Sequence, residues 1–201
     1  MTIETNKKAI LDEIFLVYWK WDTTPDYDNP PANSPESFVL ELFETMKDKA
    51  LSNYPFRCAR KYARQEGSEI ESDDTNRKYK YKSTLPEDFM YATGFWSDEK
   101  RTNGIQNDVD IIGRVARSNV KDFTMEYIAS GLECSVLDAW VKDYIAIFIA
   151  SELSDIGGCT VEAKNYLMQL SDMTRISAGN KDYEMAHHDE ISSSIHQFEW
   201  Y

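Results

Sequence analysis

The stretch "YKYKSTLPEDFMYATGFW", Tyr79 to Trp96, decides how the middle of the chain is read. Successive side chains of a strand alternate, so Tyr79, Tyr81 and Leu85 fall on one side and Lys78, Lys80 and Lys82 on the other. That period of two predicts a half-buried strand with solvated lysines outside. Pro86 ends the regular ladder because it has no amide to donate, and Glu87 and Asp88 stand where the chain leaves the sheet. Alternating aromatic and basic residues also suit single-stranded nucleic acid, where bases stack beside a cationic groove. Here the cations and the aromatics take opposite faces, which fits a buried face backed by water better.

Downstream, Val109, Ile111 and Val115 alternate, "ARSN" (Ala116 to Asn119) reads as a turn, and Phe123, Met125 and Tyr127 alternate in return. These strands predict a small antiparallel sheet over about 77–130.

Helical periods flank the sheet. Ile10, Ile14, Val17 and Trp21, with Leu11 and Tyr18 beside them, predict a first helix over about 7–21. Pro25, Pro30, Pro31 and Pro35 then forbid continuation and make a surface loop. Ser34 ahead of Pro35 and Glu36 is a good helix start. Val39, Leu42, Phe43, Met46 and Ala50 carry that second helix over about 36–52. "FRCARKYARQE", Phe56 to Glu66, reads as a short helix or extended connector, and "GSEIESDDTNR" after it as a flexible loop.

Beyond the sheet, Ser135 with Asp138 has the form of a capping box. Leu137, Val141, Tyr144, Ile145, Phe148 and Ile149 then give a central helix over about 135–154. Gly157 and Gly158 break it. Thr160 and Glu162 open a further helix through Ala163, Tyr166, Leu167 and Leu170, over about 160–177. Residues 183–201 hold no clean period and read as a docking tail with aromatic anchors at Phe198, Trp200 and Tyr201. The expectation is an α+β fold: a bundle of about four main helices, an inserted small antiparallel β-sheet and an extended C-terminal tail, with 1–182 as a single domain.

The 201 residues include 22 basic and 35 acidic ones, a formal charge of −13. A field of that sign repels phosphate and excludes a protein that grips nucleic acid with its whole surface. No run approaches the roughly 20 apolar residues of a membrane helix, and the N-terminal apolar stretch lacks a small-residue cleavage site, so a mature helix folded in a cytoplasm is expected. Cys58, Cys134 and Cys159 are odd in number and far apart, which suits reduced thiols rather than disulfides or zinc.

Chemistry is sparse. Gly157 and Gly158 join two helices without the lysine and serine of a phosphate loop, and no GxSxG elbow occurs. All three histidines lie in the last fifteen residues. Of these only His188 shares a helical face with Glu184, short of the HExxH pattern. Adjacent carboxylates such as Glu87 and Asp88 point apart in a strand and cannot by themselves face each other across a substrate. The sequence therefore predicts no catalytic residue, no metal and no cofactor.

The succession of "ALSNYPFRCARK", "YKYKSTLPEDFMYATGFW", "VDIIGRVARSNVKDFTMEYIAS" and "LDAWVKDYIAIFIASELS" resembles the tail tubular protein A type of head-to-tail adaptor of short-tailed bacteriophages. The motifs that carry the resemblance are Tyr54, Pro55 and Phe56 running on to Ala59; Leu85, Pro86 and Asp88; Gly113 to Asn119; Tyr127; and the helix from Leu137 to Leu153. The likeness spans about 37–182. Phe56 stands where the family commonly has tryptophan, the proline loop is longer, and the acids from Glu69 to Asp74 are extra. The resemblance implies a structural virion protein without enzymatic activity, assembled in the bacterial host cytoplasm and placed in the neck of the virion. It implies a homo-oligomeric ring, usually of twelve copies, whose partners are the portal protein and downstream tail or nozzle proteins. Genome DNA would pass through the lumen without specific binding, no membrane would be involved, and the C-terminal anchors would dock on the portal. Another neck protein, such as a stopper or tail terminator, and a small hydrolase with scattered acids are the competing readings.

Overall fold

The computed structural model describes residues 4–70, 78–98 and 100–198, the last twelve of them by backbone alone. The fold is α+β, with helices and two small antiparallel sheets. Instead of one domain over 1–182, the chain forms two compact units. One comprises Met1–Cys58 with Leu132–Tyr201, and the other Ala59–Gly131. The second unit is an insertion in the sequence of the first, and each holds its own buried apolar set.

The helical unit opens with α1 (Thr5–Asp12), which passes directly into a π-helical turn over Glu13–Tyr18. This corrects the single helix expected over 7–21. The wider turn is seen in the amide of Trp19, which donates to the Ile14 carbonyl five residues back at 3.0 Å. An α-helical period places Val17 with Ile10 and Ile14; the π turn rotates it outward to 58% exposure and buries Phe15 instead. Phe15 then packs edge-on to Trp19 and Trp21, at 5.1 and 4.8 Å between ring centres. The Trp19 indole donates to the Ala150 carbonyl at 3.1 Å, which ties this turn to α3.

Helix α2 (Pro35–Ser52) starts where the cap rule places it, with the Ser34 hydroxyl accepting from the Ser37 amide at 3.3 Å. Helix α3 (Ala139–Glu152) begins later than the expected residue 135. Cys134–Val136 form a 3-10 turn, and Ser135 bonds the Glu133 carboxylate rather than a free helix amide. Its residues Val141, Tyr144 to Ala150 are all buried, so nearly every side of α3 is core. Helix α4 (Val161–Phe198) opens with the Thr160 hydroxyl accepting from Ala163 and runs well past the expected end at 177. No proline interrupts it, and the polar residues after 177 lack the apolar period but not helix propensity. No helix among the described residues is long and apolar enough to cross a membrane.

The β unit begins earlier than the expected residue 77. The supposed connector is strand β1 (Arg60–Glu66), followed by β2 (Ser68–Glu69), β3 (Tyr81–Thr84), β4 (Phe89–Trp96), β5 (Val109–Ile112), β6 (Val115–Ser118) and β7 (Asp122–Ala129). One sheet has the order β1-β7-β4 and the other β2-β3-β6-β5. "ARSN" is therefore strand rather than turn in its first three residues. The reversal lies at Gly113-Arg114, where Gly113 takes φ 61° and Ile112 pairs with Val115. A two-residue hairpin with positive φ at its first position matches strand twist and favours glycine there. Tyr79 and Leu85 are buried and Lys78 and Lys80 exposed, as expected, but within β3 itself Tyr81 and Lys82 are both half-buried, so the expected two-sided alternation does not hold there. Residues 71–77, most of the expected acidic loop, lie outside the described residues.

Candidate partner-binding surface

The "LPED" corner is held from several sides within the β unit. The Leu85 amide donates to the Arg114 carbonyl at 3.0 Å, and the Arg114 guanidinium returns to the Pro86 carbonyl. The Phe89 amide donates to the Pro86 carbonyl at 3.1 Å, so Glu87 and Asp88 occupy a turn rather than an extended segment. Asp88 accepts from Lys61 Nζ at 2.6 Å and from the Tyr127 hydroxyl at 3.0 Å, while its carbonyl accepts the Ser130 amide at 2.8 Å. Burial would push the Asp88 carboxyl up, but the bonds from Lys61 and Tyr127 outweigh it and hold the group below its ordinary value. Burial, and then the carboxylate beside it, push Tyr127 up to about 12. Leu85, Pro86, Asp88, Gly113 and Tyr127 are thus gathered around one corner. Asn119 belongs to the opposite end of the β5–β6 hairpin, where its amide donates to the Asp108 carbonyl at 3.2 Å.

The "YPF" motif has its own place in the helical unit. Phe56 is fully buried, with its ring 4.8 Å from Tyr54 and 5.8 Å from Tyr144. The Tyr54 hydroxyl donates to the Gly179 carbonyl at 3.3 Å, and a Cβ at residue 179 would lie 2.9 Å from the Tyr54 ring. Two residues after Pro55, the Arg57 amide donates to both oxygens of the buried Asp182, at 3.1 and 3.2 Å. Tyr54 and the Arg57 amide therefore link the end of α2 to the middle of α4, while the Phe56 ring packs against Tyr144 of α3.

Of the tail anchors, Trp200 and Tyr201 and the side chain of Phe198 lie outside the described residues, as do the histidine side chains.

Sequence reasoning missed the outward face of α4. Twelve large apolar side chains are exposed among the described residues, and seven of them are on α4: Val161, Tyr166, Met168, Met173, Ile176, Tyr183 and Met185. Tyr166, expected on the inner stripe, is 62% exposed, while its neighbour Leu167 is 3% exposed and packs inward. At 100° per residue, all of the seven but Met185 fall within about 160° of the helix circumference. The signal was present as apolar residues at a second set of helical spacings. Asn165, Gln169, Asp172 and Asn180 interrupt those spacings and disguise them.

Beside this face lies a cleft of about 320 Å³, lined by Asn53, Tyr144, Phe148, Glu152, Met168 and Asp172 among others. The Asn53 side-chain amide donates to the Tyr144 hydroxyl at 3.0 Å, fixing both at its inner end. Met168 and Asp172 belong to the cleft and border the exposed stripe, so the two features are continuous. Charge concentrates in this unit, which carries 22 acidic and 10 basic residues; the β unit has 13 and 12. No family model and no curated protein matches the chain.

Proposed function

We propose that the chain is a structural protein of the neck of a short-tailed phage particle, an adaptor that forms a ring between the portal and the tail. The observation that carries this reading is the partition of charge. The helical unit is at −12 and the β unit at −1, so nearly all of the acidic excess sits on the helices that the resemblance assigns to the ring body. An acidic wall repels phosphate and lets DNA slide without being held. The order of elements supports the same reading: two N-terminal helices, a β insertion with an "LPED" corner braced by Tyr127, a buried central helix and a long final one. The motif residues serve as braces, which is the work expected of them in a scaffold. In this reading the protein has no reaction of its own, and a ring, usually of twelve copies in the family it resembles, is completed on the portal.

The test is to mix the purified chain with the portal protein of the same particle and measure the product by native mass spectrometry and negative-stain electron microscopy. A closed ring seated on the portal is expected. A chain that stays monomeric with portal present and is missing from purified particles refutes the proposal.

A further inference from the structure

The outer edge of β1 is the longest unbroken strand edge of the β unit among the described residues. β1 pairs with β7 over seven residues without a register break and has no strand on its other side. β4, the opposite edge of that sheet, is broken by two register shifts, and the edge strands of the other sheet are two and four residues long. Short or bulged strands are common protections of an edge, and β1 has neither. The direction of its free groups follows from one bond. The Gly67 amide donates to the Lys121 carbonyl at 2.8 Å, next to the pairing of Glu66 with Asp122. Backbone groups alternate along an antiparallel strand, so Lys61, Ala63 and Gln65 bond β7 while Arg60, Tyr62, Arg64 and Glu66 turn theirs outward. Among the described residues no backbone bond meets those outward groups.

Charge is the other common guard of an edge, and here it is partly drawn away. Lys61 Nζ reaches Asp88 at 2.6 Å, and the Arg60 guanidinium reaches Glu126 at 3.5 Å. Tyr62, Arg64 and Glu66 are exposed. The strand is also close to its own complement when reversed. Centred on Ala63, an antiparallel copy sets Arg60 opposite Glu66, Tyr62 opposite Arg64 and Lys61 opposite Gln65, with no like charges directly opposite. Outward groups can bond only outward groups, so the register changes in steps of one facing pair. The next register to one side sets Arg60 opposite Arg64, and the next to the other sets Arg64 opposite its own copy. Like charges directly opposite are destabilising, so the centre at Ala63 is preferred.

We propose that the free chain pairs through this edge with a second copy, β1 against β1, about a two-fold axis at Ala63. The pairing adds about eight backbone bonds, two for each of the four facing pairs, and makes one continuous sheet of the two that carry β1. Backbone bonding supplies the attraction, and the facing side chains select the register. The contact uses up the edge on both copies, so association stops at two. A ring joins its neighbours through two different surfaces, so this two-fold contact is separate from the ring reading and is tested on the chain without portal or particles.

The test is sedimentation velocity of the full chain up to about 500 µM. One strand pair is smaller than a standard interface, so a reversible dimer is expected at concentrations on the order of 100 µM. Arg64→Pro removes an outward amide and leaves the bonds to β7 in place, and Glu66→Arg sets arginine opposite Arg60. Each should weaken the dimer at least tenfold. Glu69→Arg makes the same charge change on exposed β2 and should weaken it less than twofold. Circular dichroism checks that each variant keeps its fold. The register has its own readout. Two residues 63 facing each other in a non-hydrogen-bonded pair stand about 4.5 Å apart at Cα, within disulfide reach. With oxidised glutathione, Ala63→Cys should therefore give a peptide linked through residue 63 of both copies, and Ser68→Cys, away from the axis, should give no such link. A monomer over the whole range, a dimer unaffected by Arg64→Pro and Glu66→Arg, or a dimer whose Ala63→Cys form does not link overturns the proposal. Equal weakening by Glu69→Arg does so as well, since net charge alone then accounts for the effect.

Discussion

Replacing Asp88 by alanine tests whether the "LPED" corner is a brace. The side chain has two partners of unequal weight. Lys61 is about half exposed, and an ion pair of that kind contributes roughly 0–1 kcal/mol. Tyr127 is buried, so its hydroxyl loses its acceptor on the protein, at about 1–3 kcal/mol. Asp88→Ala should therefore cost about 2 kcal/mol, Lys61→Ala at most about 1, and Tyr127→Phe about 1. Because Phe needs no acceptor, the double variant Asp88→Ala/Tyr127→Phe should cost less than the sum of its parts, by about 1 kcal/mol. The assay is hydrogen exchange of β4 and β7 peptides, which reads opening of the β unit by itself; 2 kcal/mol is about a thirtyfold rise in the open population. The pH dependence has a definite direction. The folded-state pKa of Asp88 lies below its unfolded value, so its ionised form stabilises fully above the unfolded value near 4, and that contribution is lost as pH falls through the folded value. The gap between wild type and Asp88→Asn should be flat from pH 5 to 8 and close below about pH 4. If Lys61→Ala costs as much as Asp88→Ala, or the double variant is strictly additive, the reasoning about the buried hydroxyl is wrong.

Three further outcomes follow from the helical unit. Gly179→Ala should destabilise by about 1–2 kcal/mol despite alanine's better helix propensity, because its Cβ meets the Tyr54 ring. In a Tyr54→Ala background the same change should become neutral or stabilising, as read by the urea midpoint. Lys47 is 2% exposed and donates to Glu44 and to the Leu132 carbonyl. Lys47→Ala should cost about 2–3 kcal/mol through that orphaned carbonyl and the cavity left behind, and Lys47→Met less than Lys47→Ala since the stem is kept, measured by thermal unfolding. Cys58, whose thiol burial pushes up to about 11, should react with iodoacetamide at pH 7.5 on the order of 100-fold more slowly in the folded chain than in urea, as read by mass spectrometry of the labelled peptide.

How much of the fold was legible depends on whether a feature is written locally. The Ser34 cap and the proline stop need only neighbouring residues, and the period of two around Tyr79 and Leu85 needs only a handful. The π turn was not legible. "EIFLVY" reads equally well at 3.6 residues per turn, and the choice is made by Trp19 reaching the Ala150 carbonyl 131 residues away. Strand β1 was hidden for a related reason. "RKYARQE" has strand-neutral, mostly polar residues, and what makes it a strand is seven-residue pairing with β7, including Tyr62 opposite Glu126. Propensity is a weak signal where pairing decides.

The same distinction separates the two parts of the candidate site. "YPF" and "LPED" are compact words whose residues touch one another or a fixed partner, so reading them in order located real corners of the fold. The outward face of α4 is legible only after the inward face is known. Leu167, Ser171, Ala178 and Asp182 mark the buried side, and only two of these four are apolar. A search for one apolar stripe finds a mixture of the two sides, places Tyr166 inward, and loses the period by residue 177. A buried aspartate that caps the backbone after "YPF", and a glycine kept small by a tyrosine ring, are what free the larger apolar residues to face outward. The polarity of the inner face and the apolarity of the outer one are therefore two sides of a single fact about α4: its inner side is held by specific hydrogen bonds and close contact, and its outer side carries the larger apolar residues.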